Sequence, residues 1–87
     1  MKIGVYSMRD QLSGFLTPAF ELNDKIAIRN FSYAIKKPDT LIFASAKDFD
    51  LLKIGEFDTD TGELTPLSPT VICQGLSLVK GMNEIQK

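Results

Sequence analysis

From Lys2 to Met8 the chain alternates, with Ile3, Val5 and Ser7 on one side and Gly4, Tyr6 and Met8 on the other. A period of two is the pattern of a strand, and apolar groups on both sides predict one that is covered on both faces. Residues 9–14 carry turn-forming side chains. The next segment, GFLTPAFEL, sets Leu16, Phe20 and Leu22 on one face and predicts a second strand. Pro18 cannot donate to a ladder, so this strand belongs at an edge or carries a bulge. At Asn23 the period changes from two to nearly four. Ala27, Ile28, Phe31, Ala34 and Ile35 fall within about a third of a helix's circumference. Asn23 or Asp24 is placed to cap its start, Lys36 and Lys37 occupy its last turn, and Pro38 stops it. The pattern is that of one helix packed on a sheet.

Residues 41–46 are too few for periodicity to separate a short strand from a helical turn. DLLKIGEFD alternates again, with Leu52 and Ile54 on one face, and a bulge at Gly55 would return Phe57 to that face. Residues 58–62, DTDTG, bond their own backbone or tolerate positive φ, so they predict a hairpin turn into a short strand, ELTPL. Short apolar segments follow at residues 71–73 and 76–79, and about residues 80–87 are expected to fray. The predicted fold is α+β, a small single domain over residues 1–87. It has about four short strands in an antiparallel sheet and one long helix, in the order β-β-α-β-β. One helix covers only one face of a sheet, yet the first strand is apolar on both. A homodimer that buries the other face is therefore expected.

Composition narrows the chemistry. With 44% hydrophobic and 24% charged residues the chain can build a core, and 87 residues leave room for one domain. No apolar run approaches the roughly 20 residues of a spanning helix, and MKIGVYSMRD lacks a signal peptide's apolar region, so the expected location is the cytoplasm of the cell that makes the protein. Cys73 is the only cysteine and there is no histidine. Intrachain disulfides, His-based acid/base catalysis and the common Cys/His zinc sites are thereby excluded. The net charge of -1 is unevenly placed. Residues 1–37 hold six basic and three acidic groups, whereas residues 38–67 hold two basic and seven acidic ones. The molecule has a basic first half and an acidic third quarter.

The acidic turn invites two catalytic or metal-binding readings. As a calcium loop, DTDTGEL has its glycine one place too early, and Pro69 stands where the bidentate glutamate belongs. As the Asp-Thr-Gly of an aspartic protease, Asp60 would need burial to share a proton with a second copy of itself. Its neighbours Asp58, Thr59 and Glu63 would instead keep the loop wet. Neither a metal, a cofactor nor a catalytic residue is expected.

Three stretches, VYSMRDQLSGFLTPAFELND, AIRNFSYAIKKPD and DFDLLKIGEFDTDTGELTPL, together resemble the small nonstructural protein of gokushovirus-like microviruses, tailless phages with single-stranded DNA genomes. The pattern is a first strand with a tyrosine (Tyr6), a Pro-aromatic segment (Pro18, Phe20), an Ala-Ile-Arg-x-Phe helix (Ala27 to Phe31), and a strand from Phe49 to Asp58 that runs into a turn with Gly62. It covers about residues 2–67. The resemblance implies a non-enzymatic, DNA-binding protein acting in viral genome replication or in the switch to single-strand synthesis for packaging, in the bacterial host cytoplasm. It brings no catalytic residues.

The residues themselves can support such binding. Lys25, Arg29, Ser32 and Lys36 recur at helical spacing within about 60° of one another, a stripe able to track phosphates. Tyr33 lies beside it and off the apolar face, placed to stack on an unpaired base. Lys37 and Arg9 complete the candidate set for single-stranded DNA. A second reading is an adaptor that meets a viral or host replication protein through the acidic hairpin and touches no DNA.

Overall fold

The computed structural model describes residues 1–38 and 40–79. At its centre two long strands, β1 (Lys2–Asp10) and β4 (Phe49–Asp58), run antiparallel in register from Lys2 opposite Asp58 to Asp10 opposite Phe49. A further strand, β5 (Leu64–Gln74), pairs with the outer side of β4. On the free side of β1 two short strands share one edge. The first, β2 (Gly14–Phe15), pairs with Arg9 and Asp10, and the second, β3 (Ala19–Glu21), pairs with Gly4, Val5 and Tyr6.

The sheet thus has five strands where the sequence predicted about four, and Pro18 is the reason. A proline has no N–H to give the ladder, so the strand expected over GFLTPAFEL is split around it. Two bonds carry the chain across the break. Leu16 N–H donates to the Met8 carbonyl at 2.8 Å, and the buried Ser7 hydroxyl donates to the Leu16 carbonyl at 2.6 Å.

Helix α1 (Asp24–Lys36) follows the expected boundaries. Its N-cap is Asn23, whose side-chain oxygen accepts from Ile26 N–H at 2.9 Å. Ala27, Phe31 and Ile35 are buried against the sheet with Tyr6, Phe49 and Leu51. The undecided segment is helical: α2 (Leu41–Ala44) is capped by the Thr40 hydroxyl, which accepts from Phe43 N–H at 3.0 Å, and a 3₁₀ turn, Ala46–Asp48, follows. The described order is therefore β-β-β-α-α-β-β, not β-β-α-β-β. Residues 75–79 are also helical. Ile42, Ala46, Leu78 and Val79 all pack on the cluster around Phe31, so every helical segment lies on one side of the sheet. The tail expected to fray, about residues 80–87, lies outside the described residues.

Two irregularities set which side chains share a face. Val5 pairs with Gly55 but Tyr6 pairs with Lys53, so Ile54 is the extra residue of a bulge. The bulge falls one place before the expected Gly55, with the expected effect: Phe57, opposite Ile3, faces the same side as Leu52, opposite Ser7. Beyond the hairpin, ELTPL and residues 71–73 join into one strand of 11 residues with register shifts. Pro66, Pro69 and these extra residues hide its continuity in the sequence.

Candidate nucleic-acid interface

Helix α1 turns its apolar stripe inward, so the side chains at the other angular positions must point outward. Lys25, Arg29, Tyr33 and Lys36 are all exposed there, and Lys37, the C-cap residue, is exposed at the end. Tyr33 is 68% exposed, which leaves its ring free to receive a planar partner. Ser32, within the stripe, donates its hydroxyl to the Ile28 carbonyl at 2.8 Å and keeps acceptor capacity only. Among the described residues, none of Lys25, Arg29, Lys36 and Lys37 forms an ion pair. At 1.5 Å per residue, the eleven steps from Lys25 to Lys36 extend about 16 Å, room for several phosphates of one strand.

Arg9 is not part of this face. It shares the parity of Val5 and Ser7 on β1, the side away from the helices, where its guanidinium lies 3.4 Å from Asp50 and 6.0 Å from the centre of the Phe15 ring. The sequence could not separate the two groups, since nothing in it says which face of β1 receives the helix.

Two cations missing from the expected set lie nearer the stripe. Lys2 and Lys53, with Lys25, line an open cleft of about 570 Å³ at the start of α1, together with Asp24 and Glu56. Lys2 alternates with Gly4 and Tyr6, but alternation does not say that theirs is the helix side. Lys53 alternates with Leu51 and Phe49 on β4, but its place opposite Tyr6 depends on strand pairing that local patterns do not carry.

The base of this cleft is fixed by Tyr6. Its hydroxyl donates to Asp24 Oδ1 at 2.5 Å, and Lys53 Nζ lies 3.7 Å from the same oxygen. Burial, then the bond to Asp24 and its charge, raise the phenol well above its ordinary range. A second tie, from Asn30 Nδ2 to Glu21 Oε2 at 2.7 Å, joins α1 to β3. The basic stripe is thus mounted on a helix anchored at both its start and its middle.

The acidic hairpin is organised differently. Gly62 takes φ +76°, the left-handed conformation that glycine adopts without strain. Asp58 Oδ1 accepts from Asp60 N–H at 2.9 Å, and the Met1 amino group lies 2.6 Å from Asp60 Oδ2 and 3.7 Å from Asp58 Oδ1. The bond from Asp60 N–H, with help from the Met1 charge, holds the Asp58 carboxyl below its usual value. These carboxylates serve the turn's own backbone and the start of β1. The remaining nucleophile, Cys73, is half-buried, and burial pushes its thiol up, away from the reactive thiolate.

A family model described as Phage ORF5 protein matches residues 3–78, from within β1 to the helical residues beyond β5. The chain belongs to the Phage ORF5 protein family. No curated protein and no solved structure matches it. The basic face of α1 and the acidic hairpin both fall inside the ORF5 match. No helix among the described residues is long and apolar enough to cross a membrane.

Proposed function

We propose that this ORF5 family member is a non-enzymatic phage protein that binds single-stranded DNA along the outer face of α1. Its place of action is the host cytoplasm, in viral genome replication or in the switch to single-strand synthesis for packaging, as its resemblance to the small nonstructural protein of gokushovirus-like microviruses implies. One observation carries the reading: Lys25, Arg29 and Lys36 line one face of a well-anchored helix, unpaired among the described residues, with the exposed Tyr33 ring beside them. Cations at helical spacing neutralise successive phosphates, and an aromatic ring next to them accepts a base of any sequence. Asp58, Asp60 and Glu63 share the β4–β5 turn, beside the start of β1. A strand laid along α1 toward its C-terminal end leads away from them.

The test is the pair Arg29→Glu and Lys36→Glu. Both side chains are exposed, so stability should stay within about 0.5 kcal/mol of the parent for each. Affinity for every single-stranded sequence should fall alike, and the salt slope should flatten by about one to two. A double variant that melts like the parent and binds with parental affinity and slope would show the stripe to be a solvated face. Should the parent itself fail to bind labelled single strands at low salt, the adaptor reading, with a replication protein meeting the hairpin, takes its place.

A further inference from the structure

The side of the sheet opposite the helices is apolar, neutral and covered by no helix among the described residues. Following the register, Ile3, Val5, Phe20, Phe57, Leu64 and Val71 all face this way. Val5 and Leu52 are buried at its middle, while Phe15 and Phe20 are each 50% exposed, Leu64 59% and Val71 41%. Phe20 meets Phe57 edge to face at 5.5 Å between ring centres. Pro18, Phe20, Gly55, Leu64 and Pro66 line an open groove of about 350 Å³ there. With roughly 200 Å² for a fully exposed aromatic side chain, the four exposed residues leave on the order of 350 Å² of apolar surface. That approaches the apolar core of an interface burying about 800 Å² per partner.

We infer that this face is where a second copy of the chain docks, sheet against sheet. Charge selects the occupant. The register places only two charged residues on the face, Arg9 and Asp50, and they neutralise each other at 3.4 Å. A nucleic acid would find no free cation here. A second copy meets no like charge, whereas copies joined through the basic helix or the acidic hairpin would repel. The edges exclude the other mode of self-association. One outer edge, β5, carries Pro66 and Pro69 with register shifts, and the opposite edge is broken at Pro18. What remains is face packing about a two-fold axis, with sheets about 10 Å apart. Both copies of α1 then lie on the outside, pointing away from each other. Resting on the single-stranded DNA reading, the dimer presents two phosphate tracks on opposite sides and bridges two segments of strand.

Sedimentation of the parent at tens of micromolar, without DNA, should give twice the 9.7 kDa of one chain. Phe20→Glu and, at a more exposed position, Leu64→Glu should each halve that mass while keeping the parent's circular dichroism. A labelled single strand should be captured on beads bearing a second, immobilised strand by the parent, but not by either variant. A monomeric parent, or folded variants that remain dimers, would overturn the assignment. So would variants that stay monomeric and still bridge the strands. A parent that dimerises through this face but binds no DNA would instead refute the DNA-binding reading and leave the dimer face standing.

Discussion

Tyr6 is the residue at which a strand, a helix start and an ion pair meet. Its hydroxyl is satisfied by Asp24, so Tyr6→Phe removes one bond to a charged acceptor and should cost about 1–3 kcal/mol in urea unfolding. The pH dependence has a definite sign, because burial, the bond to Asp24 and its charge all favour the protonated phenol. A phenol whose pKa is raised by folding keeps its proton when the unfolded chain, with tyrosine near 10, has lost it. The stability it contributes is fully present below about pH 10 and is lost as pH rises beyond that. Unfolding from neutral to strongly alkaline pH should therefore show a steeper loss in the parent than in Tyr6→Phe; equal slopes would mean that folding does not hold the proton on the Tyr6 phenol. Half of this was legible in the sequence. Alternation puts Tyr6 on one face of β1 with Gly4 and Met8, and Asp24 is, with Asn23, a candidate cap for α1. Their contact joins elements that local patterns do not relate.

Among the elements, α1 is readable in all but the choice between Asn23 and Asp24 as cap, because apolar stripe, terminal lysines and stop all agree on one segment. The strands were read less well wherever proline or an extra residue interrupts alternation. Pro18 divides one expected strand into β2 and β3, and β5 gathers two expected pieces into one. The segment after α1 stayed undecided because short apolar runs suit either period; Thr40 as a cap settles it as helical. The end of β5 rests on Gly75, which the patterns did not mark. A Cβ there would overlap the carbonyl oxygens of Ala46 and Phe49, backbone atoms that have no rotamer by which to retreat. Gly75→Ala should consequently destabilise by about 1–3 kcal/mol through overpacking, even though alanine is the better helix former. A melting temperature equal to or above the parent's would show that residues 75–79 do not dock against the 3₁₀ turn as described.

Across the two sides of the sheet, no local pattern in the chain separates Arg9 from the cations of α1. Arg9 and the α1 cations belong to one basic half of the chain, yet the sheet separates them, because side-chain parity on β1 sends Arg9 away from the layer that Tyr6 and Met8 share with the helix. The same arrangement orders the stability of the parts. Strands β1 and β4 are paired on both sides, and buried side chains lie on both of their faces: Tyr6 and Leu51 toward the helix, Val5 and Leu52 away from it. Short β2 and β3 have one partner strand, and the 58–62 turn is held by exposed bonds. Local opening exposes amides in inverse order of such burial. Hydrogen exchange at neutral pH should therefore be slowest at amides of Tyr6, Ser7, Leu51 and Leu52, and faster by orders of magnitude at residues 14–21 and 59–63. If the edge amides of β3 proved as protected as those of Tyr6 and Leu52, the centre of stability would have to lie elsewhere than in the β1–β4 pair.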